Sequence, residues 1–270
     1  MPYARVNNKE LFYTITAPEA SAPKSALALV CIHGLGSASS FYAPITPHLT
    51  SLGNTVLAID THGSGLSPYS GTGNTTTSVA DDALAVVESL AGQMPESVVV
   101  LGHSMGGIVA SEMALRDEKD RIKGLVLIGP VNPNPGAAEA FGRRIEVVSQ
   151  GGMEPLALSI PAAATGSKAS PLVHAFIRAL LLASSPDGYI SLCRAIAEAR
   201  VPDYGSIKAP LLIIAGGEDK SAPVEGSTYI LEQYGSAKKE QMVLDGVGHW
   251  HVLEAYDDVA KLVGDFVGNL

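Results

Sequence analysis

The sequence predicts an α/β protein with a mostly parallel central sheet and helices on both of its faces. Continuously apolar runs of strand length, such as Ala26–Ile32 and Val98–Leu101, are typical of strands that are covered on both sides. Segments with helical spacing follow these runs in regular alternation. Because strands that alternate with helices pair in parallel through right-handed crossovers, we expect a single sheet built in this way.

The length and composition are those of a globular protein without a basic surface. With 270 residues, the chain is long enough for one α/β domain that carries an insertion. The formal net charge of -9 argues against nucleic acid or an anionic membrane surface as a partner. The sequence has no apolar run of membrane-spanning length and no signal pattern at its N-terminus, so we expect a cytoplasmic protein. Cys31 and Cys193 are expected to be small buried residues rather than a disulfide framework.

The first 130 residues are predicted to supply most of the sheet. Tyr3–Ala17 alternates loosely and breaks at Asn7-Asn8, which predicts a short hairpin because asparagine tolerates left-handed backbone. The predicted strands after it are Ala26–Ile32, Thr55–Ile59, the run that ends at Gly102, and Ile122–Ile128. The predicted helices are Ser39–Leu52, a segment from Ser78 as N-cap to Gly92, and a segment from just past Ser104 to about Arg116.

The alternation of strands and helices stops at Pro130. The prolines within residues 130–136 exclude the interior of a strand or helix, so this stretch is predicted to be a linker. From Ala137 to about Arg200 there are only helical pieces, Ala137–Gln150, Pro171–Leu182 and Gly188–Ala199. Because three helices are too many for an ordinary crossover, we expect residues 131–205 to form a helical cap on a core domain of residues 1–130 and 206–270. The core is predicted to resume with the strand Leu211–Ala215, the helix Glu225–Tyr234, the strand Gln241–Leu244 and the helix Val252–Val267.

Gly102, Ser104 and Gly106 form a Gly-x-Ser-x-Gly motif where a predicted strand turns into a predicted helix. A serine at the tip of such a sharp turn has a strained backbone, and its neighbours must lack side chains to pack there. The turn also places the hydroxyl at a helix N-terminus, where backbone N–H groups favour negative charge. We therefore predict that Ser104 is a nucleophile, the alternative being an ordinary glycine-rich turn.

A serine nucleophile needs a base to take its proton and a third group to orient that base. Asp219 follows the strand Leu211–Ala215, and His249 follows the last strand in a Gly-Val-Gly-His sequence. Both lie at the carboxyl ends of parallel strands, which is where open α/β sheets build their sites. We therefore expect Ser104, Asp219 and His249 to form a catalytic triad.

Neighbouring residues compete with these assignments. Glu218 is chemically able to replace Asp219, and His251 competes with His249. The glycines before His249 give a flexible turn that can aim an imidazole inward, whereas His251 is expected to begin the next helix and to be replaceable at little cost. His103 is expected to point away from the pocket as a core histidine.

The oxyanion formed by attack on an acyl group needs two preorganised donors. One is expected to be the backbone N–H of Met105, the residue after the nucleophile. The other is expected to be the N–H of Leu35, because the glycines on both sides of Leu35 let that backbone approach a substrate. His33, in the same loop, is expected to hold the turn by a hydrogen bond rather than to transfer protons.

Together these motifs resemble those of the α/β-hydrolase superfamily over nearly the whole chain. The shared motifs are His33-Gly34-Leu35-Gly36, the turn from Asp60 to Ser67, Gly-His-Ser-Met-Gly-Gly around Ser104, Gly216 to Pro223 with Asp219, and Gly-x-Gly-His249. The resemblance implies the α/β-hydrolase fold with an inserted helical cap, and a serine hydrolase activity. The stretch from Gly188 to Pro210 is similar to the 3-oxoadipate enol-lactonase and carboxylesterase branch. His62 stands where the superfamily commonly has arginine, which puts a structural ion pair there in doubt.

We expect a serine hydrolase that cleaves a small, fairly apolar ester or lactone through an acyl-enzyme on Ser104. The sequence contains no dinucleotide-binding motif and no Cys or His cluster with metal-ligand spacing, so neither a cofactor nor a metal is expected. The alternatives are C–C bond hydrolysis, perhydrolysis or acyl transfer with the same triad, and a small-molecule binding protein with slow turnover.

The predicted cap is expected to set substrate choice. Its apolar side chains are expected to face partly the pocket and partly the core, among them Leu156, Leu158, Ile160, Phe176, Leu180 and Ile190. Its arginines are expected to be solvated unless one turns inward to bind a substrate carboxylate; they are Arg143, Arg144, Arg178 and Arg194.

Overall fold

The computed structural model of the chain describes residues 2–18 and 20–270, without the side chain of Ala137. Met1 and Glu19 of the predicted core domain therefore lie outside the described residues. Within the described part of the chain there are eight strands, β1 Tyr3–Val6, β2 Lys9–Thr16, β3 Leu27–Ile32, β4 Thr55–Ile59, β5 Ser97–His103, β6 Ile122–Ile128, β7 Leu211–Gly216 and β8 Lys239–Leu244. They form one sheet in the order β1-β2-β4-β3-β5-β6-β7-β8.

The sheet is mostly parallel, as predicted. β1 and β2 pair antiparallel through a turn at Asn7 and Asn8, whose φ angles of 49° and 59° are left-handed, and β2 pairs antiparallel with β4. All other neighbouring strands pair in parallel. The register places Gly102, near the end of β5, beside Ile32 at the end of β3. The carboxyl ends of the parallel strands therefore meet at one edge of the sheet.

Helices cover both faces of this sheet. The α-helices are α1 Thr46–Ser51, α2 Thr76–Ser89, α3 Met105–Leu115, α4 Pro135–Gly151, α5 Glu154–Ala163, α6 Pro171–Ala183, α7 Pro186–Ala197, α8 Val224–Gln233, α9 His251–Glu254 and α10 Tyr256–Gly268. Alternate residues of β3 enter opposite apolar cores: Val30 packs in the core that contains α2 and α3, and Leu29 in the core that contains α1 and α10. No helix in the described residues has both the length and the apolar character needed to cross a membrane.

Both cysteines are buried, as the sequence predicts. Burial raises the pKa of the Cys31 thiol, and it raises the pKa of Cys193 to about 12. Neither thiol is therefore activated as a nucleophile, because reactivity requires the thiolate.

Several element boundaries differ from the predicted ones for identifiable reasons. The N-cap of α2 is Thr75 and not Ser78: Ser78 donates its N–H to Thr75 Oγ1 at 2.9 Å, and the Thr75 N–H binds Ser78 Oγ at 3.0 Å. This reciprocal pair is a capping box, and its N-cap lies three residues before the predicted one. The predicted helix Val252–Val267 is divided between α9 and α10, because Ala255 leaves the helical conformation at φ −143° and ψ 51°.

Helices α4 to α7, which we call the helical insertion, lie between β6 and β7 in the chain. The sequence does not predict α5, because Pro155 and Pro161 suggest a broken helix. Pro155 is tolerated in the first turn, where its missing N–H is not needed, and Pro161 lies near the helix end. Pro135 likewise starts α4 inside the predicted linker. The division into core and cap domains, 1–130 with 206–270 and 131–205, stays a prediction.

Candidate active site

Ser104 lies at the turn between β5 and α3, where its backbone has φ 56° and ψ −116°. This left-handed φ is strained for a residue with a side chain. The two motif glycines are sterically required: a Cβ at Gly102 would collide with the carbonyl oxygen of Gly106, and one at Gly106 with that of Ile32. The sharp turn predicted from the motif is therefore present, and it places the Ser104 hydroxyl above the carboxyl edge of the sheet.

The structure brings the three predicted triad residues together. His249 Nε2 lies 2.9 Å from Ser104 Oγ, and His249 Nδ1 lies 2.7 Å from Asp219 Oδ2. With the neutral imidazole protonated on Nδ1, this histidine donates to Asp219 and accepts from the serine hydroxyl. The arrangement is therefore able to take the serine proton during attack on a substrate.

Asp219, rather than Glu218, faces the histidine. Oδ1 of Asp219 accepts the N–H groups of Ser221 and Ala222, both at 2.8 Å, which fixes the carboxylate while Oδ2 meets His249. Burial disfavours the charge of Asp219, but the opposing effects of His249, His251 and the Ala222 N–H leave its pKa lowered from the ordinary value. The carboxylate of Glu218 is instead bound by Ser167 on the helical insertion.

The side chains of His103 and His251 lie beside the predicted base, and neither forms a hydrogen bond to Ser104. Each donates a ring N–H to the carbonyl oxygen of His249, His103 from Nε2 at 2.8 Å and His251 from Nδ1 at 2.9 Å. Burial lowers the pKa of His103 well below its ordinary value and that of His251 to about 4, so both are neutral donors at neutral pH. His251 begins α9, as predicted, but its side chain is fully buried. His103 is a buried core histidine, as predicted, and its ring stacks on Phe41. Although we expected it to point away from the pocket, it is among the residues that line the cavity over Ser104.

The backbone donors predicted for an oxyanion hole flank the serine. Gly34 packs directly against Ser104, which brings the following Leu35 to the cavity wall. Within the described chain, neither the Leu35 N–H nor the Met105 N–H donates to another protein group. His33 has the structural contacts predicted for it, since its Nδ1 binds the Gly34 carbonyl at 2.7 Å and its Nε2 accepts the Thr61 N–H at 3.0 Å.

His62 is held by neutral hydrogen bonds in the turn after β4. Its Nδ1 lies 3.0 Å from Asn74 Oδ1, and its Nε2 accepts the Ser70 N–H at 2.9 Å. Asn74 in turn donates its backbone N–H to Ser191 Oγ on α7, at 2.8 Å. Position 62, where the superfamily commonly has an arginine, is thus held by neutral hydrogen bonds. Through Asn74 these bonds join the turn to the helical insertion.

A cavity of about 490 Å³ opens over Ser104 and His249. The helical insertion supplies its roof, with Phe141, Arg144, Ile160, Leu181 and Tyr189 among the lining residues. Of the apolar residues predicted to face the pocket or core, Ile160 lines the cavity and Leu156 and Leu180 are buried, but Leu158 is 65% exposed. Sequence reasoning missed Phe141, Leu181 and Tyr189, because the spacing of apolar residues in a helix does not distinguish a pocket face from a core face.

Of the four arginines considered in the helical insertion, Arg144 is the one that lines this cavity. Its guanidinium carbon lies 5.2 Å from the ring centroid of Phe141, and its charge opposes the burial that raises the pKa values of Tyr189 and Cys193. Within residues 2–18 and 20–270 it forms no ion pair with a carboxylate. The other three are exposed, and Arg143 pairs with Glu139 on its own helix.

The chain is similar in sequence to known hydrolases. Residues 23–255 match the serine aminopeptidase S33 family. RutD of Variovorax paradoxus (strain S110), to which carbamate hydrolysis is ascribed, is 30% identical over 220 residues, which are 76% of this chain and 79% of RutD. The 3-oxoadipate enol-lactonase 2 of Acinetobacter baylyi is 26% identical over 215 residues, which are 77% of this chain and 78% of that protein.

The structure is similar to those of solved hydrolases. The enol-lactonase from Burkholderia xenovorans LB400 has a TM-score of 0.87 at 29% identity, and the match covers 99% of this chain and 100% of that chain. An esterase from Exiguobacterium antarcticum shares the fold with a TM-score of 0.87 at 19% identity, over 98% of each chain. These comparisons confirm the α/β-hydrolase fold and the likeness to the enol-lactonase branch that the sequence motifs indicate.

Proposed function

Because this chain belongs to the serine aminopeptidase S33 family of α/β-hydrolases, and is therefore a hydrolase, we propose that it cleaves small carboxylic esters or lactones through an acyl-enzyme on Ser104. The observation that carries this proposal is the continuous contact from Ser104 Oγ through His249 to Asp219, at 2.9 and 2.7 Å. A serine hydroxyl becomes an effective nucleophile when a base so placed takes its proton.

The first half of the reaction transfers the acyl group to the enzyme. Ser104 Oγ attacks the carbonyl carbon while His249 Nε2 takes the hydroxyl proton. Asp219, which accepts the Nδ1–H of His249, stabilises the imidazolium that forms. The negative oxygen of the tetrahedral intermediate is bound by the N–H groups of Leu35 and Met105, which point at charge that develops only during the reaction. Collapse of the intermediate expels the alcohol, which receives its proton from His249.

The second half releases the acid. His249 takes a proton from water, the resulting hydroxide attacks the acyl carbon, and the ester bond to Ser104 breaks as the serine oxygen regains its proton from His249. In a lactone the alcohol and the acid belong to one molecule, so the product is a hydroxy acid. Enol-lactonases are among the similar proteins in both sequence and structure, which supports lactones as substrates here.

The lining of the cavity supports a substrate that is small and mostly apolar, with one anionic group. Phe141, Ile160 and Leu181 supply apolar contacts, and the cavity volume of about 490 Å³ suits a small molecule. Arg144 supplies a cation that pairs with no carboxylate among the described residues, whereas the other charged residues of the lining, Lys220 and Glu225, are exposed. A guanidinium in this position binds a carboxylate on the substrate by charge-assisted hydrogen bonds.

The test is covalent labelling and turnover of the Ser104→Ala variant beside the wild type. A fluorophosphonate probe is expected to label the wild type once, at Ser104, and not to label the variant. Turnover of short-chain aryl esters and lactones is expected to fall by about 10⁴-fold or more in the variant, by comparison with other triads. Ser89→Ala, an exposed serine at the end of α2, is the matched control and is expected to keep wild-type turnover. Near-normal activity of Ser104→Ala would show that the covalent mechanism is wrong.

A further inference from the structure

We propose that Glu254 is a positioning residue that joins the helical insertion to the loop of His249, so that the placement of the base depends on a docked insertion. This inference rests on the proposed function, in which His249 is the base. Glu254 touches neither Ser104 nor the imidazole of His249 through a hydrogen bond. It acts through the main chain on either side of His249.

The Glu254 carboxylate accepts three backbone N–H groups. Its Oε2 binds the N–H groups of Gly248 at 2.9 Å and Gly166 at 2.7 Å, and its Oε1 binds that of Trp250 at 2.8 Å. Gly248 and Trp250 are the residues immediately before and after His249. Glu254 is only 8% exposed, which leaves water little access to these donors. Two buried donors, Gly248 and Trp250, and the half-buried N–H of Gly166 therefore depend on one carboxylate, and a buried N–H without an acceptor is costly.

The third donor belongs to the connection between α5 and α6. Residues 164–168 of this connection, which we call the docking segment, lie against the loop of His249. The Ala164 carbonyl accepts the N–H of His249 at 2.7 Å, and Lys168 donates its N–H to the Gly246 carbonyl at 2.9 Å. The helical insertion thus binds His249 directly through its N–H and indirectly through Glu254.

The docking segment and the loop are packed backbone to backbone. A Cβ at Gly166 would lie 2.7 Å from the Gly248 nitrogen, and a Cβ at Gly248 would lie 2.7 Å from the Thr165 Cα. Glycine at both positions lets the two main chains approach this closely. Since no side chain separates the two main chains, a shift of the docking segment is expected to move the backbone of His249 with it.

The remaining polar atom of the His249 main chain is also fixed. Its carbonyl oxygen accepts the two ring N–H groups of His103 and His251. The base is therefore held at its own N–H and C=O and at the N–H of each neighbour. Glu254 accounts for two of these contacts and is the group that connects them to the insertion.

Glu218 offers a matched comparison within the same docking segment. Its carboxylate accepts the N–H and the hydroxyl of Ser167, both at 2.8 Å, and it is exposed. Its side chain makes no hydrogen bond to residues 248–250. Replacing Glu218 by Gln therefore weakens the attachment of the insertion without changing the acceptors beside His249.

The experiment compares the Glu254→Gln and Glu218→Gln variants with the wild type and with Ser104→Ala, using an aryl ester. Gln has one acceptor oxygen, so in Glu254→Gln at least one of the three N–H groups faces an NH₂ group. We expect kcat to fall about 10²-fold with KM within about twofold, because a displaced base impairs chemistry more than binding. Glu218→Gln is expected to keep kcat within about twofold of the wild type.

Two further readouts separate positioning from loss of fold. Rates are normalised to folded sites, counted by complete fluorophosphonate labelling, and the far-downfield proton NMR signal of the His249–Asp219 contact is recorded. Displacement of His249 predicts a shift or loss of that signal in Glu254→Gln alone. An unchanged signal and kcat in Glu254→Gln, or an equal loss in both Gln variants, overturns the positioning role. An active Ser104→Ala variant would instead overturn the proposed function itself.

Discussion

A Cβ atom added at Gly34 would lie 2.9 Å from the Cβ of Ser104 and 2.8 Å from His103 Nδ1. The loop after β3 therefore lies against the turn of Ser104, and we propose that Gly34 sets how closely the Leu35 N–H approaches the reacting carbonyl. Gly34→Ala is expected to push this loop away and to lower kcat about 10²- to 10³-fold, the usual effect of losing one oxyanion donor.

The measurement for Gly34→Ala is steady-state kinetics together with a thermal unfolding curve. Gly268→Ala is the control, since a Cβ at Gly268 meets nothing within 4 Å. The control is expected to match the wild type in both assays. If Gly34→Ala retained kcat within about twofold, the loop would not supply an oxyanion donor.

Asp219→Asn is expected to preserve the fold and to lower kcat about 10⁴-fold. The amide NH₂ of Asn would face the imidazole and stabilise the tautomer that lacks a proton on Nδ1, which leaves Nε2 unable to accept from Ser104. Burst kinetics with an aryl ester would show a slow acylation step. A loss smaller than about tenfold would mean that Asp219 does not orient the base.

Arg144→Met is expected to reduce kcat/KM selectively for substrates that carry a carboxylate. A buried charge-assisted contact contributes enough to binding that a loss of about 10- to 100-fold is expected for acidic esters, with neutral esters changed about twofold or less. Arg143→Met is the control, because Arg143 is exposed and pairs with Glu139. If both substitutions had equal, small effects on acidic and neutral esters, Arg144 would not bind a substrate carboxylate, and the pocket would select apolar esters only.

The buried histidines predict loss of stability in mild acid. Burial lowers the pKa of His251 to about 4 from an ordinary 6.5. The charge of Asp219, at 4.0 Å, opposes this shift, and that of His249 adds to it. Between these values the unfolded chain binds a proton that the folded chain does not, so the free energy of unfolding falls as pH falls from 6.5 toward 4. Over this range each such group lowers the free energy of unfolding by about 1.4 kcal/mol for each pH unit of acidification. His103 adds to this loss, whereas the lowered pKa of Asp219 acts only at lower pH.

Denaturant unfolding of the wild type and of His251→Asn at about pH 7 and about pH 5 measures this dependence. Asn keeps a donor near the position of Nδ1 but does not titrate, so the variant is expected to lose less stability on acidification than the wild type does. Parallel losses in the two proteins would show that His251 is not the group that titrates.

The structure also changes the expectation that His251 is replaceable at little cost. The sequence places His251 at a helix start, where residues are commonly exposed, but it does not show which ring atoms meet the His249 carbonyl. His251 is fully buried and is one of two donors to that oxygen. Removal of its side chain by alanine is therefore expected to disturb the base, although less than removal of His249.

Elements with a strong local signal could be predicted from the sequence, and contacts between distant segments could not. The strand Ile122–Ile128 was predicted with its observed limits, because a run of apolar residues defines it. The elbow follows from the spacing of three residues. Glu254 has no such signal: it is one acid in a short helix, and its role arises from Gly166, which is 88 residues away in the chain.

The helical insertion shows the same limit. Helix α6 was predicted as Pro171–Leu182 and ends one residue later, at Ala183. Which arginine enters the cavity depends on how α4 packs against α7, and Arg143 and Arg144 are adjacent in sequence. Because adjacent residues point in different directions from a helix, Arg143 pairs with Glu139 at the surface while Arg144 lines the cavity.

The left-handed backbone of Ser104 has a consequence for how this position evolves. A strained φ of 56° in a residue with a side chain costs about 1–3 kcal/mol, whereas glycine in its place would give up only about 0.5–1 kcal/mol through a more flexible unfolded chain. Folding stability alone thus favours glycine at position 104. If Ser104 is the nucleophile, as we propose, selection for its hydroxyl must outweigh this preference for glycine. A descendant chain without this activity is then expected to lose the serine early.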